Sequence, residues 1–188
     1  MASFKFELKC PTSLGADKKV PVVVTLHGMG SNYLNMRPLV ALFGERTIEL
    51  HLQGSIPWVN GFTYYVPQFY KFSETRLIGG TAKKIYHEVK QILQKNHLQE
   101  HPLMFIGFSQ GAVLIAVLLI LHPTWIKAVI VFSGSLPVFV EKWAQCNLGL
   151  HQIQTAVFIA QGKKYDFPAS NGSKTNCCPL YTFDAADE

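Results

Sequence analysis

Charged residues are scarce in this sequence, and they form no continuous basic or acidic segment. Asp, Glu, Lys and Arg make up 15% of the 188 residues, hydrophobic residues make up 48%, and the formal net charge is +5. A composition this apolar is typical of a folded chain with a buried core, not of a disordered one. Because the lysines and arginines are scattered, the basic stripe of a nucleic-acid-binding surface is missing, and we expect no nucleic-acid partner.

The sequence also lacks a hydrophobic run long enough to span a membrane. The longest run, Ala112–Leu121, has about half of the roughly 20 residues that a transmembrane helix needs, so we expect no stable membrane insertion. The first ten residues alternate between apolar and polar types, as in a strand, and have no apolar centre like that of a secretory signal peptide. We therefore expect a cytoplasmic protein.

Cysteine is infrequent and has no spacing typical of a metal site. The four cysteines are Cys10, Cys146, Cys177 and Cys178. Structural zinc sites need ligand pairs separated by a few residues, which the adjacent pair at 177–178 does not provide. Nothing in the spacing indicates a disulfide framework either. We expect reduced thiols and no metal ion.

Apolar, β-branched runs alternate with helical patterns along the chain. The predicted strands are 19–28, 47–52, 103–108, 128–134 and 156–162, and the predicted helices are 31–44, 82–96, 111–123 and 138–145. Nearly continuous apolar strands suit a sheet that is covered on both faces. The alternation predicts a single α/β domain over residues 1–188 with a mostly parallel central sheet. Ligands of such domains bind at the carboxyl ends of the strands.

The segment Gly107-Phe108-Ser109-Gln110-Gly111 joins a predicted strand to a predicted helix. This G-x-S-x-G pattern in a strand-turn-helix context predicts a nucleophile elbow, in which a tight turn exposes a catalytic serine. The small residues two positions away on each side let the strand and helix pack closely around it. The alternative is a turn of small residues with an ordinary helix-capping serine.

The turn His27-Gly28-Met29-Gly30 follows the first strong strand. Acyl transfer needs two backbone N–H groups that stabilise the oxyanion, one from the residue after the nucleophile and one from a loop after an earlier strand. Gln110 and Met29 are the candidates. His27 could act as the general base, but a histidine directly before such glycines more often anchors their loop, and we expect that role.

A long loop rich in aromatic residues, 53–70, follows the second predicted strand. Long loops of compact domains often carry function. Trp58 and Phe62 are candidates for the lining of a substrate pocket. The alternative is that these rings only pack the loop onto the core.

Four segments together resemble the phospholipase/carboxylesterase family of α/β-hydrolases, which includes small bacterial esterases and the acyl-protein thioesterases. They are VTLHGMGSN at 24–32, FIGFSQGAVLI at 105–115, VFSG at 131–134 and VFIAQGKKYD at 157–166. The resemblance implies a three-layer sandwich and a cofactor-free serine hydrolase of carboxylic esters or thioesters. It also implies Ser109 as nucleophile, Met29 and Gln110 as oxyanion donors, and Asp166 as the acid of a Ser-Asp-His triad.

The chain departs from the family pattern after residue 160. The turn that the family writes H-G-x-x-D is here Gln161-Gly162-Lys163-Lys164-Tyr165-Asp166, with glutamine for histidine and one extra residue. The triad histidine should follow Asp166, but none of the 188 − 166 = 22 remaining residues is histidine. We therefore expect an incomplete C-terminal part of the fold, with an atypical tail over 167–188.

Three explanations of the missing histidine stay open. The chain is truncated or altered at its end, or it is an inactive relative that binds without cutting, or a displaced histidine such as His151 serves as base. We predict a hydrolase of short acyl esters with a small ester substrate as its partner. The alternatives are an acyl-thioester hydrolase and a catalytically impaired ligand-binding relative. The sequence leaves the oligomeric state undecided.

Overall fold

A computed structural model of the chain describes residues 3–12, 19–68, 71–146 and 154–161. The strands are Lys5–Lys9 (β1), Val22–Leu26 (β2), Ile48–Gln53 (β3), Ile56–Trp58 (β4), Gly61–Thr63 (β5), Leu103–Phe108 (β6), Ala128–Phe132 (β7) and Ala156–Ala160 (β8). The helices are Arg37–Ala41 (α1), Glu74–Lys95 (α2), Gln110–Leu121 (α3) and Val138–Cys146 (α4), and a 3-10 turn at Tyr33–Met36 precedes α1.

Six strands form the central sheet in the order β1-β3-β2-β6-β7-β8. The strand β1 pairs antiparallel with β3, and every other pair in this sheet is parallel. The register places Leu26 opposite Gly107, and Phe108 opposite Phe132. The carboxyl ends of β2, β6 and β7 therefore meet at one edge of the sheet, which confirms the predicted mostly parallel α/β fold.

Helices cover both faces of this sheet. On one face, Val22, Val24 and Leu26 of β2 pack with buried residues of α2, α3 and α4. On the other face, Val23 packs with Val40 of α1 and with Met36 just before that helix. The alternation of side chains along a strand thus divides the apolar residues between two layers of core. Helix α3 is apolar all round because it lies buried against the sheet and against α2.

Three elements differ from the sequence predictions. The predicted helix 31–44 is a 3-10 turn followed by the short helix α1. Pro38 lies in the first turn of α1, where proline is tolerated, so the α-helix begins only there. Helix α2 begins at Glu74 after the N-cap Ser73, eight residues before the predicted start. The loop 53–70 contains the hairpin of β4 and β5, which the sequence prediction missed.

No helix in the described ranges is long and apolar enough to cross a membrane. The described residues also contain no group of three or more His, Cys, Asp or Glu side chains that could hold a metal ion. The predictions that concern the tail 167–188 lie outside the described residues.

Candidate active site

Ser109 lies in the turn between β6 and α3, in a backbone conformation that residues other than glycine rarely adopt. Its φ and ψ are 50° and −109°. A non-glycine residue in this region costs about 1–3 kcal/mol and persists only where the surrounding structure holds it. Its backbone N–H donates to the carbonyl of Phe132 at 2.8 Å, and its own carbonyl accepts from Val113 at 3.1 Å. The Ser109 hydroxyl makes no capping hydrogen bond to α3, so the ordinary capping alternative is wrong.

The glycines on each side of Ser109 are required by close packing. A Cβ on Gly107 would lie 2.7 Å from the carbonyl carbon of Gly111 and 2.8 Å from the nitrogen of Ala112. A Cβ on Gly111 would overlap the carbonyl of Leu26 in the neighbouring strand. The G-x-S-x-G pattern therefore lets β6, α3 and β2 approach closely enough to form the turn.

The backbone N–H groups of Met29 and Gln110 lie near Ser109. A Cβ on Gly28 would lie 3.4 Å from the Cβ of Ser109, so the turn that contains Met29 lies beside the serine. Within the described part of the chain, neither the N–H of Met29 nor that of Gln110 has a hydrogen-bond partner. Gln110 is also the first residue of α3, where the helix dipole favours negative charge.

His27 anchors the turn that carries Met29. Its ring is buried, its Nε2 accepts a hydrogen bond from the Gly54 backbone at 2.9 Å, and its Nδ1 lies 2.7 Å from the Gly28 carbonyl. Because Nε2 is an acceptor, the ring proton is on Nδ1 and is donated to Gly28. Burial lowers the pKa of His27 below its usual value of 6.5, and the bond to Gly28 opposes this shift. Both ring nitrogens are occupied, so this histidine is an anchor and not a general base.

The side chain of Gln110 has a structural role that the sequence analysis missed. It is buried, and its Oε1 accepts from the Tyr64 backbone at 2.9 Å and lies 2.8 Å from the Thr63 hydroxyl. Its Nε2 donates to the carbonyl of Tyr65 at 2.9 Å. The sequence carried a signal for this role, because Gln110 is the only polar side chain in α3. A polar residue at the start of an otherwise apolar buried helix needs hydrogen-bond partners.

The hairpin residues Trp58 and Phe62 lie against the turn of Gly30 and Ser31. A Cβ on Gly30 would lie 3.7 Å from Cδ1 of Trp58, and the Phe62 backbone exchanges hydrogen bonds with Gly30 and Ser31. A cavity of about 420 Å³ opens at the ends of β6, β7 and β8. It is lined by Leu39, Phe108, Phe132, Ser133, Ala160 and Gln161. The role of Trp58 and Phe62 as substrate-pocket residues stays a prediction.

The histidines of the described ranges do not reach Ser109 through any hydrogen bond. His51 is buried in the sheet between the Thr25 hydroxyl at 2.8 Å and the Glu49 carboxylate at 2.7 Å. His101 bonds to the carbonyl of Val20, which precedes β2 at the opposite end of the sheet from Ser109. Asp166, the predicted triad acid, and His151, the predicted alternative base, lie outside the described residues.

No protein-family model and no curated protein matches this sequence. Solved structures do match the fold. The carboxylesterase from Mesorhizobium loti is 16% identical with a TM-score of 0.63, and the alignment covers 86% of each chain. The Bacillus cereus carboxylesterase is 15% identical with a TM-score of 0.66 and the same coverage. The esterase PE8 is 18% identical with a TM-score of 0.62, over 86% of this chain and 91% of that one.

The chain has an α/β-hydrolase fold. The type of fold that the resemblance of the four sequence segments implied is thereby confirmed, and the structural neighbours are carboxylesterases and esterases. At identities below 20% this likeness concerns the fold. Function has to be argued from the site itself.

Proposed function

We propose that this chain is a serine hydrolase that cleaves carboxylic esters through an acyl-enzyme on Ser109. The observation that carries the proposal is the strained backbone of Ser109, at φ 50° and ψ −109°, beside the N–H groups of Met29 and Gln110, which have no partner among the described residues. Backbone strain of this kind clusters at functional sites. Nucleophilic attack on a carbonyl requires a hydroxyl with hydrogen-bond donors close by, where the oxyanion of the substrate forms.

The proposed reaction has two steps. The Ser109 Oγ bonds to the ester carbonyl carbon while its proton passes to a general base, and the carbonyl oxygen becomes an oxyanion held by Met29 and Gln110. Collapse of this intermediate expels the alcohol, which takes the proton from the base. Water then attacks the acyl-enzyme in the same way and releases the carboxylic acid and the free serine.

The proposed triad needs an acid and a base in addition to Ser109. We propose Asp166 as the acid, on the resemblance of its segment to the family turn after the last strand. The base is not assigned, because no histidine of the described ranges bonds to Ser109, and the rings of His27, His51 and His101 are bonded to other groups. Removal of a triad member leaves only a residual acceleration from the oxyanion hole and from binding.

The combination of Ser109, two N–H donors and no assigned base favours a second candidate function. A chain with an elbow and an oxyanion hole but no base would bind esters without turning them over. A catalytically impaired, ligand-binding relative is therefore the alternative from another class.

Within the hydrolase proposal, we propose short acyl esters as the substrate, with Trp58 and Phe62 lining the acyl or alcohol side. An acyl thioester is the second substrate class of the same chemistry. Higher kcat/KM on p-nitrophenyl butyrate than on a palmitoyl thioester is expected for the first class, and the reverse order for the second.

Fluorophosphonate labelling followed by peptide mass spectrometry tests the proposal, with Ser109→Ala as the control. A rapid adduct on Ser109, absent from the control, is the expected result, because only an activated serine reacts quickly with this probe. No adduct in a protein that circular dichroism shows to be folded would support the ligand-binding alternative. An adduct on another residue that survives in Ser109→Ala would contradict Ser109 as nucleophile.

A further inference from the structure

We propose that the side chain of Gln110 is a positioning residue that sets the distance between the two oxyanion donors. The inference rests on the proposed function, since the donors matter for catalysis only if Ser109 attacks a carbonyl. The Gln110 backbone N–H is one donor and belongs to the elbow. Its side chain reaches away from the elbow and holds the loop that supports the other donor, Met29.

All the polar atoms of the Gln110 side chain are directed at residues 63–65. Oε1 accepts from the Tyr64 backbone at 2.9 Å and is 2.8 Å from the Thr63 hydroxyl, and Nε2 donates to the Tyr65 carbonyl at 2.9 Å. Only 4% of Gln110 is exposed, so water does not replace these bonds if they break. Buried hydrogen bonds from a side-chain amide hold a loop in one place.

Residues 61–63 pass this constraint to the turn of Met29. Strand β5 leads directly into Tyr64, and its Phe62 donates to the Ser31 carbonyl at 2.7 Å and accepts from the Gly30 backbone at 2.9 Å. The contact is too close for a side chain, because a Cβ on Gly61 would lie 2.6 Å from the carbonyl oxygen of Ser31. The residue that follows Met29 is thus bonded to a strand that Gln110 holds.

The other side of the Met29 turn is held by the same loop. The Tyr64 hydroxyl accepts from the His27 backbone at 3.2 Å and donates to the Leu52 carbonyl at 2.8 Å. The Gly54 backbone donates to the His27 ring at 2.9 Å. Residues on both sides of Met29 are therefore fixed by the segment 54–64, and Gln110 ties that segment to the elbow. Without its side chain, the Gln110 N–H would remain in place while the Met29 N–H would lose its fixed position.

The variant Gln110→Glu adds a pH-dependent readout that a merely structural role of Gln110 would not produce. A protonated carboxyl has one acceptor oxygen and one O–H donor, so it can reproduce the bonds to Tyr64 and Tyr65. An ionised carboxylate only accepts hydrogen bonds, and it would face the Tyr65 carbonyl without a proton between them. Gln110→Glu should therefore recover the function of glutamine as the pH falls.

The titratable groups around Gln110 do not obscure this test. Tyr64 and Tyr65 are buried, which raises the pKa of each, and they stay neutral at moderate pH. The ring of His27 lies 4.7 Å from that of Tyr64, and burial lowers its pKa; it is present in every variant, so the ratio of variant to wild type cancels its titration. Glu74, from α2, acts on Tyr65 and has a raised pKa. It is present in every variant, so the ratio of variant to wild type cancels its titration.

The experiment measures kcat and KM on p-nitrophenyl butyrate between about pH 5 and pH 8 for wild type, Gln110→Met and Gln110→Glu. The matched control is Gln91→Glu on the exposed side of α2. Gln110→Met should lower kcat about 10- to 100-fold with little change in KM, which is less than the 10²–10³-fold loss expected for a missing donor. Gln110→Glu should match it at high pH and approach wild type at low pH. A Gln110→Glu to wild-type ratio that is constant with pH, or full kcat in Gln110→Met, overturns the proposal.

Amide hydrogen exchange keeps this test separate from the proposed function. If wild type shows no turnover that depends on Ser109, the proposed function fails, but the exchange of Gly30 and Phe62 still reports on the link. Their exchange relative to wild type should accelerate in Gln110→Met and return toward wild type in Gln110→Glu as the pH falls. Unchanged exchange in a folded variant contradicts the proposal. If Gln110→Met does not fold, Gln110→Glu at low pH, which restores both bonds, carries the comparison.

Discussion

At the scale of single residues, two helical glycines of this chain have opposite relations to their surroundings. Gly111 lies in α3, where an added Cβ would overlap the Leu26 carbonyl and lie 2.8 Å from the Leu26 Cβ. Gly80 lies in α2, is exposed, and has nothing within 4 Å of an added Cβ. The first glycine is therefore required by packing, whereas the second is an ordinary helix position with a weak helix former.

We predict opposite effects of alanine at these two glycines on the free energy of unfolding. Gly111→Ala should destabilise the protein by about 1–3 kcal/mol, because overpacking pushes α3 away from β2. It should also abolish labelling of Ser109, since the elbow depends on that approach. Gly80→Ala should stabilise by roughly 0.5–1 kcal/mol through helix propensity. Urea unfolding followed by circular dichroism measures both.

Gly80→Ala is thus the control for the general effect of alanine in a helix. A Gly111→Ala protein as stable as wild type, and still labelled at Ser109, would show that α3 and β2 have room to separate without harm to the turn.

At the scale of the elements, the strand β1 is joined to α1 by an ion pair. Arg37 donates to the Glu7 carboxylate from Nε at 2.8 Å and also from Nη2. This hydrogen bond lowers the pKa of Glu7 below its usual value of 4.5, although partial burial opposes the shift. Both side chains are partly exposed, so the pair contributes modestly to the stability of the fold, and salt screens its attraction.

The lowered pKa of Glu7 predicts a pH-dependent contribution to stability. A carboxyl whose pKa is lower in the folded state stabilises above its unfolded pKa, and this contribution disappears as pH falls through the folded pKa. Wild type should therefore melt at a higher temperature than Glu7→Gln at neutral pH. The difference in Tm should shrink as the pH falls below 4.5 toward the lowered pKa of Glu7. Thermal melts across this pH range check it.

The exposed Glu100 offers a matched control as Glu100→Gln. A Tm difference for Glu7→Gln that is the same at neutral and acid pH, or one that Glu100→Gln reproduces, would contradict a role of the Arg37 pair.

At the scale of the whole molecule, the two outer strands of the described central sheet, β1 and β8, differ in how far other residues cover them. The edge strand β1 is tied to α1 through Glu7 and Arg37. At the other edge of the sheet that the described residues form, β8 exposes about half of the Val157 and Phe158 side chains, one on each face. Exposed edge strands with apolar side chains offer a template for pairing with another chain.

We predict that the protein self-associates through β8 and that Phe158→Lys reduces this association. A lysine on an edge strand opposes pairing because its charge would have to be desolvated between two sheets. Sedimentation velocity over a range of protein concentrations should give a lower average mass for Phe158→Lys than for wild type. Val59→Lys, at the exposed tip of the β4–β5 hairpin, controls for the added charge. An equal decrease in both variants would assign the effect to charge and not to the edge.

The sequence by itself determined the α/β architecture and the positions of the candidate site residues along the chain. Nearly continuous apolar runs and the intervening helical patterns predicted the α/β architecture, because a sheet covered on both faces needs apolar residues at every position. The G-x-S-x-G and H-G-M-G segments located Ser109, Met29 and Gln110, because their glycines are short-range requirements of the turns that contain them. The start of α2 was missed because Gly79 and Gly80 interrupt its helical pattern, and a Cβ on Gly79 would lie in tight contact with Trp143, 3.1 Å from its ring.

Only the tertiary structure decided which partners the polar groups find. His27 could be read as base or anchor until its two ring nitrogens were found bonded to Gly54 and Gly28. The link from Gln110 to residues 63–65 joins positions more than 40 residues apart, and no local pattern specifies such a pair. Helix starts and glycine turns depend on neighbours in sequence. Hydrogen bonds between an elbow and a distant loop depend on how the chain returns to the same edge of the sheet.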